Sequence, residues 1–422
     1  MTIQTANRNI RADFNFDSAS IPSCTPLGSM EPAAVQHQLP IKWNRAEDCS
    51  ILDEQGNKWI DMTSGIFVTN AGHANPAIRK ALIAQLDTPL LFAYNYPTDI
   101  RSRFLNKLFA ISPAHYDTAI LLNSGSEALD VAYKLIKLWG RKHQRRYIIT
   151  FNGSYHGRGL SNDLICGNKN KADWSGIHDD DVVFLNYPYD ESVVFRHEML
   201  PPANEIAAFI LETFQGWGAW FYPEYYLRDL VTFARKAGAL ICCDDLQGGF
   251  YRLGTLYGYQ SYGTDMVPDL LCVGKGLASS LPISAVLSRA EITNIDPMAD
   301  LHGTHSGNPL CCAAALANLE YLSNPIFQSD LSHRSRTFCQ GVQSLSSHPC
   351  LCQVNCRGMI AGLIVDDSDL ADRIVFACVR RGVLPVWTHR NSIKLAPPLT
   401  MPVSVINEAI SVIDDALCES ER

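Results

Sequence analysis

The sequence has no run approaching the ~18 consecutive apolar residues of a membrane-spanning helix. It has no basic excess either. Its 422 residues carry 35 Lys and Arg against 43 Asp and Glu, a net charge of −8, which argues against the basic face of a nucleic-acid binder. The opening stretch, MTIQTANRNIRADFNFDSAS, is polar and lacks the apolar core of a secretory signal, so a soluble, cytoplasmic enzyme is the expectation. Zinc-type cysteine spacing is missing as well. Among 14 cysteines are the adjacent pairs Cys242–Cys243 and Cys311–Cys312 and a C-x-C-x3-C run at Cys350, Cys352 and Cys356, none of them the paired C-x2-C of a metal site. A chain this long needs no disulfide staples, so the thiols read as reduced, buried, small hydrophobes. A metal or redox role stays open only near residues 350–356, and no metal is expected. The 47% of hydrophobic residues, beside 18% charged, fills a sizeable core and is too much for disorder. The length suits one large two-domain enzyme.

Residues 1–40 carry Pro22, Pro26, Pro32 and Pro40 and no helical or strand period, which reads as a loose arm that something covers, such as a partner subunit. Residues 49–62 read as a hairpin turning at Asp53–Asn57, and a helix opens at Asn75-Pro76. From about 118 the chain alternates short apolar runs with helical ones. The runs are AILLN (119–123), RYIITF (146–151), IAAFILE (206–212), ALICCDD (239–245), PDLLCVGK (268–275) and ISAVLS (283–288). Continuous apolar strands between helices predict an α/β fold with a mostly parallel sheet covered on both faces. After about 320 a strand-like stretch, a helix (DLADRIVFACVRRG) and a terminal helix predict a smaller α+β domain, completed by the N-terminal segment. The expected division is 1–75 as arm and small-domain segment, 76–320 as the large domain, and 321–422 as the C-terminal small domain.

In an open parallel sheet, ligands collect beyond the carboxyl ends of the strands. The residues at those ends are Ser124-Gly125-Ser126, the loop Gly153–Arg158, Glu212, Asp244-Asp245-Leu246-Gln247 and Gly274-Lys275-Gly276. Ser124-Gly125-Ser126 precedes a helix, so its backbone N–H groups and the helix dipole suit a phosphate, though a plain strand-to-helix turn reads the same way. A lysine ending an apolar strand is partly desolvated, which lowers its pKa and frees the amine to form a Schiff base. A surface lysine snorkelling from the strand end is the alternative. Asp244, ending its strand 31 residues earlier, would need a cation such as a pyridinium nitrogen, unless it is a helix cap or half of a salt bridge.

Together these residues resemble the class III pyridoxal-phosphate aminotransferases, the ornithine, 4-aminobutyrate and ω-amino acid group. The resemblance runs from about residue 43 to the C-terminus. It includes D-x-x-G-N-x-W-x-D-M-T-S-G-I (53–66), G-H-A-N-P (72–76), N-S-G-S-E-A (123–128), F-N-G-S-Y-H-G-R (151–158), D-D-L-Q-G-G-F-Y-R-L-G (244–254), P-D-L-L-C-V-G-K-G (268–276), H-G-T-H-S-G-N-P-L (302–310) and K-L-A-P-P-L-T (394–400). It implies the fold type I of pyridoxal-phosphate enzymes, and pyridoxal 5′-phosphate as cofactor. It also implies an aminotransferase working by a ping-pong cycle on a small-molecule amino donor and an oxo acceptor, in a homodimer with active sites at the subunit interface. Carried over, Lys275 is similar to the lysine that holds the cofactor as a Schiff base, and Asp244 to the carboxylate that keeps the pyridine nitrogen protonated. Gln247 matches a hydrogen-bond partner of the phenolic oxygen, and Tyr155 the ring that stacks on the cofactor. His156 belongs to the same loop motif, Ser124, Gly125 and Ser126 match the phosphate turn, and Thr304 matches a phosphate ligand donated by the neighbouring subunit. An epimerase or racemase, an aminomutase or a decarboxylating enzyme would share every one of these residues; a non-catalytic paralogue is the remaining alternative.

Three residues depart from the pattern, and the last two bear on substrate. Asp245 stands where the pattern has Glu, one methylene shorter with the charge kept. Trp217, in Gln215-Gly216-Trp217-Gly218, replaces the gating Glu of ornithine- and 4-aminobutyrate-type members, and Lys394 replaces their Arg and loses its bidentate fork. Arg158 remains as a carboxylate-binding candidate, and Glu212 matches a strand-end glutamate near the cofactor. Trp217, with Phe67 and with Tyr94 and Tyr96 as neighbours, fits a broad aromatic site for a bulky secondary-metabolite or aminosugar-type substrate; a space-filling Trp217 beside a common ω-amino acid is the other reading.

Overall fold

The computed structural model describes residues 30–32, 39, 41–263 and 266–420. The arm read from residues 1–40 lies almost wholly outside them. Along the chain come β1 (Trp43–Glu47), β2 (Ser50–Asp53) and β3 (Lys58–Asp61). Then follow β4 (Thr118–Leu122), β5 (Tyr147–Phe151), β6 (Val182–Leu185), β7 (Ile206–Glu212), β8 (Leu240–Asp244), β9 (Leu270–Val273) and β10 (Ser284–Ser288). The last are β11 (Gln353–Arg357), β12 (Ile360–Ile364), β13 (Val383–Leu384), β14 (Val386–Trp387) and β15 (Ser392–Leu395). The described residues divide into two compact units: Pro76–Gly216 with Trp220–Phe327, and the rest.

The larger unit is built on one sheet of order β4-β10-β9-β8-β7-β5-β6. β6, β5, β7, β8 and β9 run parallel, and β10 pairs antiparallel with both β9 and β4. All seven residues of β7 and all five of β8 are buried, which is why both read as unbroken apolar runs. The helix Gly125–Lys142 lays Leu129, Ala132, Leu135 and Ile136 on the sheet, against Ile148, Ala208, Ile210, Cys242, Cys272 and Val286. Each fully buried Leu or Ile there contributes about 1.5–3 kcal/mol over an exposed one. β6 was not legible as a strand: its four residues are only half-buried.

The other unit holds two four-stranded sheets, β1-β2-β3-β13 and β11-β12-β15-β14. The β2–β3 hairpin turns where its sequence predicts, because Asp53 Oδ1 accepts from the N–H groups of Gln55 and Asn57 and Gly56 takes φ +82°. β11 and β12 form a second hairpin. The segment Trp217–Ala219 belongs to this unit: Ser392 Oγ donates to the Trp217 carbonyl at 2.7 Å and Asn355 Nδ2 to that of Gly218 at 3.1 Å. A Cβ at Gly362 would lie 2.0 Å from the Gly218 oxygen, so β12 must carry a glycine for this segment to seat.

The cysteines follow the sequence expectation in part. Cys49, Cys166, Cys242, Cys243, Cys272, Cys311, Cys312 and Cys378 are buried free thiols. Cys339, on the helix Pro325–Ser344, and Cys356, in β11, form a disulfide with Cα atoms 5.7 Å apart. The expectation of reduced thiols fails for this pair because the packing of helix on strand brings together two residues that their spacing does not relate.

Candidate active site

The carboxyl ends of β4, β5, β7, β8 and β9 bring most of the expected residues to one edge of the larger unit. Lys275 follows β9 at φ +44°, a left-handed conformation that a non-glycine residue adopts only where its surroundings hold it. Burial lowers its pKa below the ordinary lysine value; the carboxylates of Asp244 and Glu212 oppose that shift and Arg158 adds to it. The turn that follows Lys275 is pinned by Asn318, buried in the helix Pro309–Leu322, whose Nδ2 donates to the carbonyls of Gly276 and Leu277, each at 2.8 Å. Asn318 was not singled out from the sequence. It lies mid-helix among apolar residues, and an asparagine on a buried helix face is the one signal that could have found it.

Asp244 ends β8 and is buried; its Oδ2 meets His156 Nδ1 at 2.9 Å. His156 is itself buried, and its Nε2 has no hydrogen-bond partner among the described residues. Gln247 Oε1 is likewise buried and unpartnered there. Glu212 ends β7, where Oε2 accepts from the Tyr155 N–H at 3.3 Å and Oε1 from the Gly216 N–H at 3.1 Å. Burial pushes its carboxyl up to about 7, with His156 pulling it down and Asp244 pushing it further up. Glu212, Asp244 and Gln247 line a small pocket with Thr213, Phe214 and Gly248. Tyr155 is half-exposed, and its hydroxyl accepts from Arg158 Nε at 2.9 Å.

Ser124 caps the helix Gly125–Lys142, with its hydroxyl and N–H both engaged by Glu127 in a capping box. Gly125 sits against Leu246: a Cβ there would fall 2.6 Å from that side chain. Ser126 Oγ accepts from the Arg158 N–H at 3.2 Å, tying the phosphate-type turn to the Tyr155 loop. Thr304 is exposed, in the turn before the helix Pro309–Leu322.

The remaining expected substrate residues lie in the other unit. Phe67 is buried at φ +67° in a left-handed stretch with Ser64, Gly65 and Ile66. Lys394, buried in β15, holds its Nζ 4.5 Å from the centre of the Phe67 ring. Trp217 lies under the Arg390 guanidinium at 5.7 Å and, with Ser368, His389, Arg390 and Asn391, lines an open cleft. Tyr94 and Tyr96 are exposed on the larger unit. The shortened Asp245 is fully buried: it accepts from the Gly258 N–H at 2.8 Å and from the Thr213 hydroxyl, and a Cβ at Gly248 or Gly258 would come within 2.7 or 2.6 Å of it.

This constellation has an amine of lowered pKa, a buried carboxylate, a helix N-terminus for an anion, and two buried polar atoms without a partner among the described residues. The family profile described as aminotransferase class-III matches residues 32–417. The chain belongs to the class-III aminotransferases. It is 30% identical to the 4-aminobutyrate aminotransferase of Mycobacterium leprae, over 93% of this chain and 94% of that one. It is 28% identical to the isoleucine 2-epimerase of Lentilactobacillus buchneri, over 90% of each. Its fold matches the ornithine aminotransferase of Toxoplasma gondii with a TM-score of 0.81 at 25% identity, over 92% of this chain and 93% of that one. This class-III aminotransferase is therefore a pyridoxal-phosphate-dependent enzyme acting on small-molecule amino and oxo compounds. The residues fit that cofactor: among the described residues His156 Nε2 and Gln247 Oε1 are buried without a partner, and Gly125 and Ser126 open a helix whose positive N-terminal end suits a phosphate. Among the described residues, no helix is long and apolar enough to cross a membrane.

Proposed function

We propose that this aminotransferase moves an amino group from glutamate, or another amino acid or amine, to an oxo acceptor in a ping-pong cycle centred on Lys275. One observation carries the reading: a lysine at a strand end, with its pKa lowered by burial and two carboxylates, Asp244 and Glu212, acting on its amine. Lys275 would hold the cofactor's aldehyde carbon, Asp244 a proton on its ring nitrogen, Gln247 its phenolic oxygen, and Gly125 and Ser126 its phosphate. Tyr155 would lie on the ring. When bound, pyridoxal phosphate supplies an aldehyde for the amine and a ring that takes up the electrons of a broken C–H bond. His156 orients Asp244 by their 2.9 Å contact. Lys275 Nζ, its pKa lowered by burial, would carry a proton between the substrate carbon that bears the amine and the cofactor's aldehyde carbon. Arg158, tethered to Tyr155, is the group we assign to a substrate carboxylate. We take the Pro76–Phe327 stretch of the larger unit as the cofactor domain and the remainder as the small domain.

Trp217 and Lys394 support a substrate side that differs from the double-carboxylate clamp. The Lys394 amine lies against an aromatic face, and the Trp217 ring lines an open cleft. A bulky secondary-metabolite or aminosugar-type amine or aldehyde suits the aromatic surfaces of Trp217 and Phe67. We also propose a homodimer. Leu90, Leu91, Phe92, Tyr94 and Tyr96 are exposed, and the turn carrying Thr304 packs on them through Asn308 Nδ2 to the Leu91 carbonyl (3.1 Å) and His305 against Phe92. A cytoplasmic site of action completes the proposal, supported by eight buried free thiols against one disulfide, Cys339–Cys356, among the described residues.

The decisive experiment is borohydride reduction of the cofactor-loaded enzyme followed by peptide mapping. Label on the Lys275 peptide, with glutamate converting the cofactor to its pyridoxamine form and releasing stoichiometric keto acid, is the expected result. Label elsewhere sinks the role of Lys275, and isomerised amino acid without keto acid would favour an epimerase like the Lentilactobacillus buchneri relative. Light scattering tests the dimer. Mixed Lys275→Ala and Thr304→Ala chains should regain activity if Thr304 serves the neighbouring site.

A further inference from the structure

We propose that His348, Asp414 and Cys418 form a site for a zinc-class divalent cation on the smaller unit, apart from every residue assigned to the cofactor or substrate. Asp414 and Cys418 lie four residues apart on the helix Val403–Ser420, which puts both on one face. His348 closes the short turn Leu345–Ser347 and points Nε2 at Asp414 Oδ1, 2.9 Å away. The imidazole nitrogen, the carboxylate oxygen and the thiol sulfur all lie within 4.8 Å of one another.

The distances allow a common ligand. With nitrogen and oxygen 2.9 Å apart and sulfur no more than 4.8 Å from either, a point about 2.5 Å from all three exists. Small rotamer adjustments then reach the roughly 2.0–2.3 Å of zinc bonds. The donor set decides which ions fit. One nitrogen, one oxygen and one sulfur suit Zn²⁺ or Co²⁺, whereas Mg²⁺ and Ca²⁺ require oxygen-rich shells. The His348 side chain is 10% exposed and that of Asp414 54%, so one flank of the site opens to solvent and leaves a fourth position for water. Bound metal would join the helix Val403–Ser420 to the Leu345–Ser347 turn, two segments far apart in the chain.

The test uses the tag-free, cofactor-loaded enzyme, stripped with a chelator, kept in a non-coordinating reductant and titrated with Co²⁺ alone. One equivalent per chain is expected, with visible bands of tetrahedral cobalt and a thiolate charge-transfer feature seen in difference against the Cys418→Ser variant. Zn²⁺ should bleach both. His348→Gln and Asp414→Asn should each weaken Co²⁺ binding by about tenfold or more. Cys352→Ser, which removes another exposed thiol, should change nothing, and transamination should be retained in all four variants. Binding that fails to saturate near one equivalent, or a cobalt spectrum that Cys418→Ser leaves intact, would overturn the proposal and reduce the cluster to a surface His–Asp pair beside a free thiol.

Discussion

Replacing Glu212 with glutamine keeps the side chain's shape and removes its titration. In the folded chain, burial lifts this carboxyl from an ordinary 4.5 to about 7. A carboxyl whose folded pKa lies above its unfolded value contributes stability at low pH and loses it as pH climbs through that interval. At 1.36 kcal/mol per pH unit, the rise corresponds to about 3 kcal/mol in all, of which about 2–3 kcal/mol is lost between pH 5 and 8.5. Glutamine carries no such slope, but it has a cost of its own. Both Glu212 oxygens accept backbone N–H groups, from Tyr155 and Gly216. The amide nitrogen of glutamine cannot accept, so one N–H loses its partner at about 1–3 kcal/mol. The variant should therefore be less stable than the wild type at pH 5, and equal to it or slightly more stable at pH 8.5. Urea unfolding of both proteins without cofactor, at matched concentration and at the two pH values, measures this. Asp245, also raised to about 7 by burial, titrates in the same window in both proteins and cancels in the difference. Stability curves that run parallel across the two pH values would refute the buried, titrating carboxyl.

Gly125→Ala should weaken pyridoxal phosphate binding, since its methyl would meet Leu246 at 2.6 Å and overpacking costs about 1–3 kcal/mol; adding Leu246→Ala should restore the affinity, read by fluorescence titration. Asn318→Ala leaves the carbonyls of Gly276 and Leu277 without their donor, so unfolding free energy should fall by about 1–3 kcal/mol and kcat should drop more than KM rises. Arg158→Ala should raise KM for glutamate by about tenfold or more if the guanidinium holds its carboxylate, while an amine lacking a carboxylate should be processed as before. Steady-state kinetics with both donors decides that point.

Much of this enzyme was fixed by local pattern. β7, β8 and β9 are apolar throughout because both faces of their sheet are covered, so continuous hydrophobicity marked them at once. The residues at their carboxyl ends then have one place to go, which is why the sequence groups Glu212, Asp244 and Lys275. Asp53 and Gly56 likewise carry their turn within five residues of sequence. What the tertiary structure alone decided is long-range and depends on distances that chain spacing does not encode. The Cys339–Cys356 bond, the Asn318 brace under the Lys275 turn, the contact of His156 Nδ1 with Asp244 and the seating of the Lys394 amine on Phe67 each join segments that share no local periodicity. Periodicity reports which face of an element is buried, and only packing reports what it is buried against.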